Sequence, residues 1–356
     1  MKKIVLTGGG TAGHVTPNIA LIPALLEKGY EISYIGSYDG MERKLIEDYN
    51  IPYYGIATGK FRRYFDVKNF TDPFQVLKGI GEAGKILREI DPDIVFSKGG
   101  FVAVPVVRGA YHLHIPVISH ESDMTPGLAN KICLPMAKVI CCNFPETLKN
   151  LPAGKAVLTG TPIRAELRCG SREKGLAFTG FTGEKPVIMV TGGSLGAMAV
   201  NTAVREALPE LLVRYDIVHL CGKGKLDENL VGRQGYVQYE YIKEEMADLF
   251  AMADLVISRA GANAICEIAT LRKPNLLIPL SAKASRGDQI LNARSFENQG
   301  FSVVIEEEGL TTMTLIQAVD DLYENRQTYI DAMSKSDQSD AVSVIVKLIE
   351  ENRLKK

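Results

Sequence analysis

The feature that most constrains the fold is a pattern that the chain carries twice. An apolar run, a threonine, paired glycines and small residues occur as IVLTGGGTAGH at residues 4–14 and as IMVTGGSLGA at residues 188–197. The two copies lie about half of the 356-residue chain apart. An apolar strand followed by a glycine turn and a helix is the opening unit of a doubly wound α/β domain. The repetition therefore predicts two domains of similar construction.

Short runs rich in Val and Ile predict eleven strands, and most of them are apolar on both faces, as in a parallel sheet that is covered by helices. The predicted strands lie at residues 3–8, 31–36, 93–99, 116–121, 139–143, 156–160, 187–193, 216–222, 236–241, 255–261 and 275–280. Helical patterns alternate with these runs. We therefore predict an α/β fold with two Rossmann-like, doubly wound parallel-sheet domains, residues 1–160 and 161–339, that face a cleft.

The first glycine loop ends in a histidine. Gly8 to His14 match G-x-G-x-x-G between a strand and a helix, a pattern that brings backbone N–H groups close to an anion. A dinucleotide site also requires an acid at the end of the second strand, but Asp39 arrives only after the turn. At a helix start His14 is expected to be neutral, because the helix dipole disfavours the imidazolium form, and a neutral imidazole suits a general base. The alternative is a histidine that is hydrogen-bonded within its own loop.

Polar residues in the second half of the chain follow the predicted strands. Ser194 lies in the second glycine loop, and Arg164, in the segment between the domains, could reach a diphosphate held there. Glu267, about two turns into the helix after strand 255–261, could accept hydrogen bonds from both hydroxyls of a ribose. Gln289 opens the helix after strand 275–280 and could read sugar hydroxyls, while Asp288 could cap that helix. These positions predict a substrate that contains a diphosphate.

Charge is nearly balanced overall but concentrated locally. The chain has 41 Lys and Arg against 42 Asp and Glu, which disfavours a dedicated nucleic-acid binder. Residues 59–80 interleave aromatic side chains with Arg62, Arg63 and Lys68. This basic aromatic segment suits an anionic membrane surface, a single-stranded nucleic acid, or a loop and helix whose aromatics pack inward. No apolar run approaches the length of a membrane-spanning helix, and no cluster has metal-ligand spacing, so we expect neither a transmembrane segment nor a metal.

Seven motifs in order give a family resemblance. They are GGGTAGHVTPNIAL, PDIVFSKGGFVAVPVV, SHESDMTPGLANK, GTPIR, VTGGSLGA, SRAGANAICEIA and SRGDQILNA. Over about residues 3–300 they resemble the MurG family of bacterial N-acetylglucosaminyltransferases of peptidoglycan synthesis. The resemblance implies a GT-B fold whose last helix, at residues 340–356, returns to the N-terminal domain. It also implies inverting transfer of N-acetylglucosamine from UDP-N-acetylglucosamine to the 4-hydroxyl of the muramoyl unit in lipid I, which gives lipid II.

The resemblance also implies where the reaction occurs and which residues carry it. The expected protein is peripheral, lies at the cytoplasmic face of the cell membrane and uses no cofactor. Its N-terminal domain would hold the acceptor and face the membrane, and its C-terminal domain would bind the UDP-sugar. His14 is the implied base, and Glu121 is a second catalytic candidate on the acceptor side. The residues implied to contact UDP-N-acetylglucosamine are Thr11, Ala12, Gly13, Asp123, Arg164, Ser194, Ile242, Glu267 and Gln289.

Two other functions fit the same architecture. A UDP-N-acetylglucosamine 2-epimerase needs carboxylates and histidines arranged for elimination and has no lipid-facing surface, so the basic aromatic segment argues against it. A non-catalytic subunit of a membrane complex could keep the nucleotide-sugar site and lose His14, but this chain carries both.

Overall fold

The chain forms two compact units, each built on its own parallel sheet. The computed structural model describes residues 1–59, 68–193, 196–284, 287–336 and 340–356, with side chains from residue 74 onward in the second range. The first unit comprises residues 1–164 and 340–356, and the second comprises residues 165–339.

The sheet of the first unit has seven parallel strands in the order β3-β2-β1-β4-β5-β6-β7. Their bounds are β1 Lys2–Thr7, β2 Tyr30–Ser37, β3 Tyr53–Ile56, β4 Ile94–Ser97, β5 Val117–Glu121, β6 Val139–Cys142 and β7 Ala156–Leu158. The helices of this unit are α1 Thr16–Glu27, α2 Met41–Glu47, α3 Lys68–Ile90, α4 Ala103–His112, α5 Leu128–Cys133, α6 Pro145–Leu148 and α14 Ala341–Asn352. Short 3₁₀ helices occur at Ala12–His14 and Leu134–Met136.

Helices cover both faces of this sheet. Ile4 of β1 lies in a buried cluster with Ile19 of α1. The next residue, Val5, lies in a second buried cluster with Leu87 of α3. Since successive side chains of a strand point to opposite faces, each face of β1 has its own hydrophobic core.

The last helix of the chain packs into the first unit. Ile345 and Ile349 of α14 lie in the same buried cluster as Ile4. The ammonium of Lys2 lies 2.9 Å from the carboxylate of Glu350. The end of the chain thus helps to bury its first strand.

The sheet of the second unit has six parallel strands in the order β10-β9-β8-β11-β12-β13. Their bounds are β8 Val187–Thr191, β9 Asp216–Leu220, β10 Tyr236–Tyr239, β11 Leu255–Ser258, β12 Asn275–Leu277 and β13 Ser302–Val304. The helices are α7 Arg172–Thr179, α8 Met198–Arg214, α9 Met246–Met252, α10 Ala262–Thr270, α11 Asp288–Asn298, α12 Thr312–Glu324 and α13 Arg326–Ser334. Short 3₁₀ helices occur at Ala165–Arg168, Glu228–Leu230 and Glu307–Gly309.

The predicted α/β class with two doubly wound parallel sheets is confirmed, and each of the eleven predicted strands is present. The sequence patterns missed two strands, β3 and β13, and each of these is the outermost strand of its sheet. An edge position alone does not hide a strand, because the edge strands β7 and β10 are among those predicted; β3 and β13 both lack a long continuous apolar run in the sequence. Within the described parts of the chain, no helix combines the length and apolar character needed to cross a bilayer.

Candidate active site

The glycine loop after β1 is shaped by close packing. Gly10 has a φ of +85°, and a Cβ built there would lie 2.4 Å from the ring of Phe101. Residues Ala12–His14 then form one turn of 3₁₀ helix before α1 begins at Thr16. Only glycine satisfies both the backbone angle and the close approach at this position.

His14 ends this turn and is half-buried. Its Nδ1 lies 2.9 Å from the hydroxyl of Thr11, so the hydrogen bond within the loop, expected as the alternative to a general base, is present. Burial, followed by the charge of Lys98, lowers the pKa of His14, while a hydrogen bond with the Gly9 backbone and the charge of Glu42 raise it, and the net pKa is about 4. The imidazole is therefore neutral at pH 7, as expected from the sequence, but burial rather than the dipole of α1 is the main cause.

The Gly10 N–H group already has a hydrogen-bond acceptor, which is the buried carboxylate of Glu42. The N–H of Gly10 donates to Glu42 Oε2 at 3.2 Å, and the N–H of Ser37 donates to Glu42 Oε1 at 3.0 Å. Since the Gly10 N–H has this acceptor, an anion held by this loop would use the N–H groups of other residues. Glu42 lies in α2 and is fully buried, whereas its sequence context, GMERK, is typical of an exposed helix.

Glu121, at the end of β5, supports the loop that follows it. Its carboxylate accepts hydrogen bonds from the N–H of Asp123 at 3.0 Å, the N–H of Gly127 at 3.2 Å and the side-chain amide of Asn130 at 2.8 Å. Burial raises the pKa of Glu121, and the amide of Asn130 opposes that rise. In the first unit, Glu121 thus fixes the loop that carries the half-buried Asp123.

A fully buried lysine lies between β4 and β5. Lys98 is 1 % exposed, and its ammonium lies 2.8 Å from His120 Nδ1 and contacts the hydroxyl of Ser122. His120 Nε2 lies 2.8 Å from the carbonyl oxygen of Gly160. Burial, followed by the charge of Lys98, holds the pKa of His120 well below its usual value, so Nε2 carries the proton and donates to Gly160. These contacts tie the ends of two strands to the 159–164 segment.

Arg164 is the last residue of the first unit. Its side chain is half-buried, and its Nε is buried without a hydrogen-bond partner among the described residues. A guanidinium N–H in that condition favours an acceptor such as a phosphate oxygen.

The predicted donor-site residues of the second unit follow the C-terminal ends of its strands. Ile242 is buried just after β10, Glu267 is half-buried in α10 after β11, and Gln289 is half-buried in α11 after β12. Gln289 Oε1 accepts the N–H of Leu280 at 3.0 Å, which leaves its NH₂ group to donate to a ligand. Because the strands are parallel, these ends share one edge of the sheet, where ligands of such folds bind.

The second glycine loop follows β8 at the same edge. A Cβ at Gly196 would lie 2.0 Å from the carbonyl oxygen of Cys221, and Gly196 has a φ of +67°. Gly193 has a φ of +80° and open space around it. Ser194, which the sequence places at the diphosphate, lies outside the described residues.

Comparison with known proteins agrees with this layout. Residues 4–141 match the glycosyltransferase family 28 N-terminal domain, and residues 187–349 match the family 28 C-terminal domain. The chain belongs to glycosyltransferase family 28. The N-terminal match lies within the first unit, whereas the C-terminal match covers most of the second unit and also residues 340–349, which belong to the first unit.

A relative from Lachnoclostridium phytofermentans is 65% identical over 355 residues, which span 100% of each chain. It is named UDP-N-acetylglucosamine–N-acetylmuramyl-(pentapeptide) pyrophosphoryl-undecaprenol N-acetylglucosamine transferase. The crystal structure of Acinetobacter baumannii MurG is similar with a TM-score of 0.78 and 30% identity, covering 99% of this chain and 100% of that one. A putative UDP-N-acetylglucosamine 2-epimerase from Listeria monocytogenes has a TM-score of 0.72 at 14% identity, covering 99% and 96%, and shares the fold alone.

Sequence reasoning assigned no role to three buried charged residues of this family 28 chain. They are Glu42, Lys98 and Arg259, whose guanidinium donates to the carbonyl oxygens of Ile278 and Pro279 at 3.1 Å each. Lys98 and Arg259 lie within two of the seven family motifs, each just after a strand. That position could have identified both residues from the sequence. Within the described ranges, no group of three or more His, Cys, Asp or Glu side chains is placed to hold a metal ion.

The pKa of His14 predicts an unusual pH profile for a family 28 enzyme that uses it as a base. Only the neutral imidazole accepts a proton, and the pKa is about 4 instead of 6.5. We therefore expect kcat/KM to stay level as the pH falls from about 7 to about 5 and to decline only below that. An NMR titration of the His14 ring, assigned through the signal lost in His14→Gln, should give the same midpoint. A midpoint near 6.5 in both measurements would contradict this electrostatic account.

Proposed function

We propose that this chain transfers N-acetylglucosamine from UDP-N-acetylglucosamine to the 4-hydroxyl of the muramoyl unit of lipid I, giving lipid II. The observation that carries the proposal is the 65% identity, over the full length of both chains, to a relative that is named for this transfer. A neutral histidine on a rigid glycine loop supports it, because the acceptor hydroxyl needs a group that takes its proton.

The reaction is a single displacement at the anomeric carbon. The acceptor oxygen forms a bond to C1 of the sugar as the bond from C1 to the diphosphate oxygen breaks. His14 takes the proton of the hydroxyl, and UDP leaves with the electron pair of the broken bond. Attack from the face opposite UDP inverts the anomeric configuration and gives a β-1,4 linkage.

In this proposal, residues of the second unit make most of the contacts with the donor. Glu267 accepts hydrogen bonds from the ribose, the backbone of Ile242 holds the uracil, and the NH₂ group of Gln289 donates to the sugar. Ser194 and Arg164 stabilise the negative charge that develops on the leaving diphosphate, in the manner of an oxyanion site. Thr11, Ala12 and Gly13 approach the sugar from the first loop, and Asp123 contributes a further contact.

The dependence of UDP release on the acceptor distinguishes this function from its two alternatives. Purified protein receives sugar-labelled UDP-N-acetylglucosamine and a soluble lipid I analogue, with EDTA present. We expect UDP release that requires the acceptor and matches the disaccharide lipid formed. UDP release without acceptor, together with an epimerised sugar, would indicate an epimerase. UDP-N-acetylglucosamine binding without turnover would indicate a non-catalytic subunit.

We further propose that α3 forms part of a membrane-binding surface at the cytoplasmic face. Its described side chains include Phe74 and Leu77, which are 73% and 66% exposed. They lie within the basic aromatic segment of residues 59–80, of which residues 60–67 and the side chains of residues 68–73 are outside the described residues. Exposed apolar side chains next to basic residues suit the headgroup layer of anionic lipids.

Membrane binding is expected to depend both on the exposed apolar side chains of α3 and on the basic residues that precede them. The double variant Phe74→Ser, Leu77→Ser should weaken binding to anionic vesicles by about tenfold or more, because each side chain loses its transfer to the acyl boundary. Neutralising Arg62, Arg63 and Lys68 should weaken binding mainly at low salt. Met313→Ser, at a similarly exposed site in the second unit, is the control. Vesicle co-sedimentation measures the binding of all three variants. Vesicle binding by Phe74→Ser, Leu77→Ser equal to that of the wild type would contradict a membrane-binding role for α3.

A further inference from the structure

A carboxylate joins two loops of the first unit. Glu42 is fully buried, and its two oxygens point in different directions. Oε2 accepts the N–H of Gly10 at 3.2 Å. Oε1 accepts the N–H of Ser37 at 3.0 Å and also contacts the Ser37 hydroxyl. One side chain thus connects the glycine loop after β1 with the end of β2.

Three glycines make room for this carboxylate. A Cβ at Gly9 would lie 2.6 Å from Glu42 Cδ and one at Gly40 would lie 2.1 Å from Oε1, while one at Gly36 would lie 2.2 Å from the Tyr53 hydroxyl and 3.0 Å from Glu42 Cγ. These glycines belong to the loop after β1, to β2 and to the residue before α2. Any side chain at Gly9 or Gly40 would displace the carboxylate, so the local sequence is built around it.

The anchored loop leads directly to His14. Four residues after Gly10, the His14 N–H donates to the carbonyl oxygen of Thr11 at 3.1 Å, and Nδ1 lies 2.9 Å from the Thr11 hydroxyl. The imidazole also has a hydrogen bond with the Gly9 backbone. The orientation of the ring is therefore fixed by the same backbone that Glu42 holds.

We propose that Glu42 is a positioning residue for the transfer reaction, which holds the loop of residues 9–14 so that the His14 imidazole faces the acceptor hydroxyl. The proposal rests on the proposed function. Glu42 acts through the Gly10 N–H and has no contact with the substrate. We expect its effect mainly in kcat, because a displaced base slows proton transfer, whereas most of the proposed donor contacts lie in the second unit and only those of Thr11, Ala12 and Gly13 belong to this loop.

The chemistry of the side chain gives an almost isosteric test. A carboxylate accepts on both oxygens, whereas glutamine offers one oxygen and one NH₂ group. Glu42→Gln therefore places N–H groups against either Gly10 or Ser37, and one of the two links is lost at nearly constant volume. Glu47→Gln is the matched control, since Glu47 lies in the same helix with a side chain that is 62% exposed.

Two readouts decide the proposal. In the free protein, we expect hydrogen exchange to accelerate by about tenfold or more in Glu42→Gln at the Gly10 amide, or at the Ser37 amide if the glutamine oxygen stays at Gly10, in which case Glu42→Ala, which removes both acceptors, is the deciding variant. In the transfer assay, we expect kcat to fall by about tenfold or more, with KM for UDP-N-acetylglucosamine nearly unchanged. Glu47→Gln should change neither. If glutamine prevents folding, Glu42→Asp replaces it, because the shorter carboxylate cannot reach both loops at once.

The outcomes separate this proposal from the function on which it rests. In the deciding variant, a faster Gly10 exchange with unchanged kcat would overturn the positioning role, as would a lower kcat with Gly10 exchange as in the wild type. A loss confined to KM would assign Glu42 to donor binding. If the wild-type protein transfers no sugar, the proposed function fails, while the Gly10 exchange rate still reports whether Glu42 anchors the loop.

Discussion

Replacement of His14 by alanine is expected to lower kcat by at least about 100-fold, because the acceptor hydroxyl then loses the group that removes its proton. Affinity for UDP-N-acetylglucosamine should stay within about twofold of wild type, since the main donor contacts lie in the second unit. Steady-state kinetics together with calorimetric titration of the donor measure the two effects separately.

Two variants control for this experiment. His112→Ala removes an exposed histidine at the end of α4 and should leave kcat unchanged. Thr11→Val removes the hydroxyl that contacts His14 Nδ1 and keeps the imidazole, so a fall of less than about tenfold is expected. Turnover by His14→Ala at the wild-type rate would remove His14 from the role of base.

Replacement of Glu267 by alanine is expected to weaken UDP binding by about 100-fold. Hydrogen bonds to a charged group contribute about 1.5–3 kcal/mol each, so the loss of two ribose contacts costs about 3 kcal/mol or more. Glu267→Gln keeps one acceptor oxygen without the charge, so its affinity for UDP should lie between those of the wild type and Glu267→Ala. Calorimetry with UDP alone measures the effect without turnover. If Glu267→Ala binds UDP as tightly as the wild type, Glu267 does not contact the ribose.

The fold could be predicted from the sequence because most of its strands are central and buried. Eleven apolar runs identified eleven of the thirteen strands. Tyr53–Ile56 is mostly half-buried, and Ser302–Val304 has only three residues, so neither produces a long apolar run. The glycine spacing also located the first loop, since glycine is required there by close packing.

The details of the site depend on contacts between distant parts of the chain. Glu42 reaches Gly10 across 32 residues, and this contact gives the Gly10 N–H an acceptor that the local sequence does not reveal. The pKa of His14 depends on its burial and on Lys98, which stands at the end of a different strand. Local patterns report secondary structure and turns, but they carry no information on which charged side chain is buried beneath a loop.

The linkage in the product distinguishes a single displacement onto lipid I from other outcomes. NMR of the purified disaccharide lipid is expected to show N-acetylglucosamine attached to the 4-oxygen of the muramoyl unit, in the β configuration that a single displacement requires. An α linkage would contradict the single displacement. Attachment at another oxygen, or hydrolysed sugar as the only product, would contradict transfer to lipid I.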